Sequence, residues 1–177
     1  GAGPNGMILA QLLKHSNANQ VVCLAPTQSK LDVLNGYGVD TILMDRKDPE
    51  IHKKAVFERF PYGVDAIVDA TGSASVLPDC FQLLKKQGRL LQFSSTKDDE
   101  NITINPAYFY RNELQYYTSY CQVHEFGRAV DAIASGKVRL DKLVTRLYTL
   151  EQFPQAIEDV LDHSVLKLVI RPNGMED

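Results

Sequence analysis

Gly1-Ala2-Gly3-Pro4-Asn5-Gly6 runs directly into Met7-Ile-Leu-Ala-Gln-Leu-Leu-Lys14. The first six residues have the spacing G-x-G-x-x-G, and the next eight place Ile8, Leu12 and Leu13 near one helical face. Working outward, Asn17 to Gln20 breaks the helix, and Val21 to Ala25 is a short apolar run of strand type. Pro26-Thr27 opens a second helix through Asn35, ended by Gly36 and Gly38. Thr41 to Met44 reads as a strand, Pro49 to Phe60 as a charge-rich helix, and Asp65 to Ala70 as a strand. Thr71-Gly72 turns the chain into a helix expected over Ala74 to Lys86, and Gly88 begins a strand over Arg89 to Phe93. Near-continuous apolar strands that alternate with helices imply a parallel sheet covered on both faces.

Beyond Ser94 the pattern changes. An aromatic strand, Leu114 to Tyr120, is followed by a helix over Glu125 to Ser135, a strand around Leu143 to Leu147, a helix over Leu150 to Asp162 and a strand over Val165 to Ile170. In a doubly wound sheet the glycine loop joins the first, central strand to the first helix. The sequence starts at that loop, so the sheet is expected to lack its first strand, with a parent chain extending upstream.

Composition narrows the function. Of 177 residues, 44% are apolar and 23% charged, with a net charge of −3, so nothing favours a nucleic-acid backbone or an anionic membrane surface. No apolar run approaches the roughly 20 residues that span a bilayer. Cys23, Cys80 and Cys121 are far apart and have no C-x-x-C spacing, which fits a reducing, cytoplasmic setting. His15, His52, His124 and His163 are scattered, mostly in surface-helix contexts, and no metal site or Ser/His/Asp grouping is expected among these residues. Lys53-Lys54 and Lys85-Lys86 read as solvated helix faces.

The chemistry is carried by three strand ends. In the glycine loop, Gly1 permits a tight turn, Gly3 lets a pyrophosphate approach the backbone, and Gly6 allows close helix–strand packing. Pro4 and Asn5 open the helix whose free N–H groups and positive dipole end attract phosphate. Val68-Asp-Ala70-Thr71-Gly72 ends a buried strand at the carboxyl edge, where open α/β sheets bind ligands, and Phe93-Ser94 forms a similar lip. Tyr116, Tyr117 and Tyr120 are strand tyrosines, a class that usually packs.

The order Gly1-Ala-Gly-Pro-Asn-Gly6, Val68-Asp-Ala-Thr-Gly72, Gly88-Arg-Leu-Leu91 resembles the medium-chain, zinc-containing alcohol dehydrogenase superfamily. The tail is similar too, in Gly136-Lys-Val138, Leu143-Val-Thr145, Phe153-Pro-Gln-Ala156 and Leu166 to Arg171. Ser119-Tyr120-Cys121 is similar to the Arg-Tyr-Cys segment of the sorbitol, xylitol and arabinitol dehydrogenase branch, with Ser119 in place of the substrate-holding arginine.

The resemblance implies a Rossmann domain over residues 1–120, and a C-terminal segment, 121–177, that returns to a GroES-like catalytic domain. Zinc is then expected in the parent enzyme, with ligands outside this chain. The implied reaction is hydride transfer between a nicotinamide cofactor and a polyol or secondary alcohol/ketose. Tyr120 is expected on the substrate side, with Tyr116 and Tyr117 structural. The chain alone is expected to be inactive, and the parent a homo-oligomer. The rival is a non-catalytic nucleotide-binding or regulatory fragment that associates through its exposed sheet.

NADP(H) is expected over NAD(H). NAD-preferring relatives end the second strand with a carboxylate that bonds the ribose hydroxyls. Here that position is Ala25, which removes repulsion against a 2′-phosphate. Thr27, Ser29 and Lys30 supply nearby donors, and Pro26 stands where some NADP-using relatives carry an arginine.

Overall fold

The computed structural model describes residues 1–120, 123–162 and 164–174. In chain order the elements are α1 (Pro4–Lys14), β1 (Val22–Ala25), α2 (Gln28–Gly36), β2 (Asp40–Leu43), α3 (Pro49–Arg59) and β3 (Val64–Asp69). A short 3₁₀ turn then leads into α4 (Leu77–Leu83), β4 (Leu84–Gln92), α5 (Pro106–Asn112) and β5 (Gln115–Thr118). The C-terminal part adds α6 (Phe126–Ala134), β6 (Val144–Thr149), α7 (Phe153–Asp159) and β7 (Lys167–Arg171). Cys121 and His163, both named from the sequence, lie outside the described residues.

Local chemistry explains several boundaries. Gly3 caps α1 with Pro4 at the first helical position, where the missing N–H costs nothing. Asp48 caps α3 by accepting from Glu50 N–H at 3.1 Å. Asn105 caps α5 by accepting from the N–H groups of Ala107 and Tyr108, at 3.0 and 3.2 Å.

Every strand pair among the described residues is parallel. They form three sheets, ordered β1-β2, β3-β4-β5 and β6-β7. One core lies beneath the first sheet and contains Met7, Cys23, Ala25, Leu31, Leu34 and Val39. The other lies beneath β3 and β4 and contains Leu77, Phe81, Leu84 and Leu90. Phe81 is gripped edge-on by Phe109 and Tyr116, with ring centroids 4.7 and 5.4 Å away.

The edges of β1 and β3 flank a groove of about 820 Å³ whose walls include Val22, Leu24, Ile67 and Val68, with Gly1 at one end. Neither edge has a hydrogen-bonded strand neighbour on the groove side among the described residues. This is the sheet pattern anticipated for a doubly wound fold without its first strand.

Four expectations need correction. The buried face of α1 carries Met7, Ala10 and Gln11, while Leu12 and Leu13 stay partly exposed. The helix after Gly72 stops at Leu83 rather than continuing to Lys86, because Leu84 takes an extended conformation and pairs with Val64. Lys85 and Lys86 therefore sit on a strand, with Lys85 paired to Asp65. Nor is Lys53 solvated: at 8% exposure it lies between α3 and α4, with Nζ 2.6 Å from Asp79, 3.0 Å from Glu50 and 2.9 Å from Gln82. His52 is buried beside it, 3% exposed, and its Nδ1 has no partner among the described residues.

Candidate functional site: a cleft at three strand ends

The glycine turn is built by close approach. A Cβ on Gly6 would stand 1.9 Å from the Gly1 carbonyl oxygen, so only glycine permits this turn. A Cβ on Gly1 would meet Thr71 Cγ2 at 3.0 Å and the Ala70 carbonyl oxygen at 3.2 Å. On the other side, the Cys23 thiol of β1 lies 3.6 Å from the Gly1 carbonyl oxygen. Gly1 therefore touches β1 and the turn that leaves β3. Gly3 differs, because nothing lies within 4 Å of where its Cβ would be. No side chain caps the N-terminus of α1, and Asn5 in its first turn is exposed. A backbone cradle open to solvent above free helical N–H groups fits a phosphate.

The sequence-derived residues fall into two groups, one at the end of β1 and one after β3 and β4. Ala25 closes β1 at 2% exposure. Thr27 caps α2 through its backbone, with no bond from its hydroxyl to the helix, and Lys30 sits half-buried in the first turn. On the far side, Ala70, Thr71 and Gly72 follow β3, and Phe93 and Ser94 follow β4. Gly72 has φ of +72°, and a Cβ there would stand 3.1 Å from the Ser95 carbonyl oxygen, so the two lips are in contact.

Tyr120 lies beyond the end of β5 and is 96% exposed. Tyr116 packs against Phe81 and donates its hydroxyl proton to the Gln92 side chain. Tyr117 donates to Gln115 at 2.7 Å.

Gln92 and Arg46 escaped the sequence reading, and Asp69 was named only as part of the strand-end turn. Asp69 ties the two lips, its carbonyl accepting from the N–H groups of Phe93 and Ser94, and Gln92 braces the second lip by donating from Nε2 to the Ser94 carbonyl at 3.1 Å. Arg46 follows two residues after Met44, whose N–H donates to the Ala25 carbonyl at 2.9 Å. Only the parallel pairing of β1 with β2 reveals how near in the fold that segment lies to Ala25.

Burial pushes the Cys23 thiol above its ordinary value and, with the Asp69 charge adding to it, raises Cys80 to about 12. Among the described residues, no three His, Cys, Asp or Glu side chains come together in a way that could hold a metal ion. No helix among the described residues is long and apolar enough to cross a membrane.

Comparison with known proteins agrees with this geometry. D-arabinitol dehydrogenase 1 of Uromyces fabae is 34% identical over 175 residues, which cover 98% of this chain and 50% of that protein. A zinc-binding dehydrogenase of Sinorhizobium meliloti bound to NADP has the same fold, with a TM-score of 0.85 at 22% identity over 97% of this chain and 50% of its own. An alcohol dehydrogenase of Escherichia coli in complex with NADH matches with a TM-score of 0.84 at 21% identity, over 96% of this chain and 50% of its own. The chain thus spans about half the length of these relatives. The zinc-binding dehydrogenase pattern itself runs over residues 4–135, through α1 and all of β1 to β5, and the chain belongs to that family.

Proposed function

We propose that the chain is the dinucleotide-binding part of an oxidoreductase that moves hydride between NADP(H) and a polyol or a secondary alcohol/ketose. The observation that carries this reading is the glycine turn itself. Gly1 is pressed between β1 and the Thr71 turn, while the space above Gly3 is open. The pyrophosphate would rest on Gly3, Pro4 and Asn5 at the start of α1. Its adenosine half would lie towards Ala25 and Thr27, and its nicotinamide half towards Thr71, Gly72, Phe93 and Ser94. The polyol assignment rests on the similarity to D-arabinitol dehydrogenase 1. Tyr120 would face that substrate. Zinc, which would polarise the alcohol oxygen, would be held by parts of the enzyme outside these residues.

NADP(H) is favoured over NAD(H) because Ala25 offers no carboxylate to repel a 2′-phosphate. Lys30 and Arg46 would supply positive charge to that phosphate, and Arg46 has a guanidinium, the stronger phosphate partner. Titrating the chain with NADPH and NADH, read by nicotinamide fluorescence, tests both levels. NADPH should bind tighter, and Lys30→Glu should weaken it roughly tenfold, about 1.4 kcal/mol. Tighter NADH binding would overturn the choice of cofactor, and binding of neither would overturn the function.

The unpaired edges of β1 and β3 favour a second reading, self-association through the sheet. Sedimentation of the chain with and without NADPH tests it. A dimer indifferent to nucleotide supports that rival.

A further inference from the structure

Asp69 ends β3 at 3% exposure, and both lips of the cleft hang on it. Its Oδ1 accepts from the Thr71 N–H at 3.0 Å and from the Thr71 hydroxyl at 2.6 Å. The Thr71 oxygen in turn accepts from Ser73 N–H at 3.2 Å, which sets the curl of Thr71-Gly72-Ser73. The main-chain carbonyl of Asp69 accepts from Phe93 N–H at 2.9 Å and Ser94 N–H at 3.3 Å. One residue thus shapes the first lip with its side chain and anchors the second with its backbone. Its other carboxyl oxygen, Oδ2, is buried with no partner among the described residues. Burying a carboxyl group with one oxygen unsatisfied is costly, and an apolar residue would cost less if strand stability were the only demand.

We propose that Asp69 is a positioning residue for the nicotinamide half of the cofactor. Its Oδ1 holds the Thr71 turn in the shape that receives that half, and it makes no contact with the cofactor itself. This rests on the dinucleotide reading above. The adenosine half lies at the β1 end, on the other side of the glycine turn. A change at Asp69 should therefore be felt by one half of the ligand and not by the other.

The test compares NADPH with adenosine 2′,5′-bisphosphate, which carries only the adenosine side, by calorimetric titration of the chain. Asp69→Ala should raise the Kd for NADPH tenfold or more and change that for the bisphosphate less than about twofold. Asp69→Asn keeps an oxygen acceptor for Thr71 and should stay within about threefold of the parent for both ligands. Thr71→Val removes only the hydroxyl and should produce the same selective loss at smaller amplitude. It carries the test if circular dichroism shows Asp69→Ala unfolded. Equal weakening of both ligands, or no weakening of NADPH, in the folded variant would overturn the proposal. A parent chain that binds neither ligand overturns the dinucleotide reading and, with it, this inference.

Discussion

Gln11 of α1 grips the backbone of Arg139 from both sides: its Nε2 donates to the Arg139 carbonyl at 3.2 Å, and its Oε1 accepts from the Arg139 N–H at 2.8 Å. These bonds span 128 positions of sequence and dock the segment around Val138 and Leu143 onto the first helix. Gln11 is itself buried, so Gln11→Leu would leave both backbone groups without their partner. The variant should lose about 1–3 kcal/mol of stability. Urea unfolding should show a lower midpoint at unchanged slope, and a midpoint equal to the parent's would show that the clamp is idle.

Gly6 and Gly3 should fail in different ways. Gly6→Ala forces a Cβ to 1.9 Å from the Gly1 carbonyl oxygen, so the turn must open and both melting temperature and NADPH affinity should fall. Gly3→Ala meets no atom within 4 Å, so the melting temperature should hold while the added methyl obstructs the phosphate. Calorimetry of both variants beside NADPH titrations separates the two outcomes. A Gly3→Ala chain that binds normally would place the phosphate elsewhere.

Acid should weaken the C-terminal part of the chain. The Asp159 carboxyl is held below the ordinary aspartate range by the Tyr148 hydroxyl first, then by Gln155 and Arg146. Asp162 is lowered by Ser164 and, more weakly, by Arg146. A depressed folded value contributes stability that is complete above the unfolded value, roughly pH 4, and is lost as pH falls through the folded value. Arg146→Met should move both carboxyl titrations upward, whereas Tyr148→Phe should move Asp159 and leave Asp162 in place. Carbon-detected NMR of the carboxyl groups reads both shifts.

Tyr120→Phe should leave the melting temperature unchanged, since a side chain 96% exposed contributes little packing. Under the proposed function, the same change in a longer enzyme containing these residues should lower kcat/KM for polyol. The chain alone, assayed with several polyols, both nicotinamide cofactors and added zinc, should show no turnover. Rates typical of intact enzymes would contradict the placement of the zinc ligands outside it.

Periodic features were readable from sequence. Gly1, Gly3 and Gly6 marked the turn, and the apolar runs ending at Ala25 and Ala70 marked the strands whose ends flank it. What escaped was set by partners distant in the chain. Lys53 looks like any charged helix residue until Asp79 and Gln82 of α4 are seen to surround it. Leu84 leaves the helix because Val64 pairs with it, which no helical spacing between Ala74 and Lys86 discloses. Asp69 looked like part of a strand-end turn, and its hold on Phe93 and Ser94 appears only once β4 lies beside β3.

The groove between β1 and β3 bears on cohesion. The β1-β2 and β3-β4-β5 sheets share no ladder among the described residues, and among the links between their sides is the Lys53–Asp79 contact joining α3 to α4. A dinucleotide lying from Ala25 to Ser94 would cross that divide as a single rigid splint. Part of its binding free energy would then appear as resistance to shearing of one half against the other. Amide hydrogens of β1 and β3 should exchange in step with each other once NADPH is bound, and independently before.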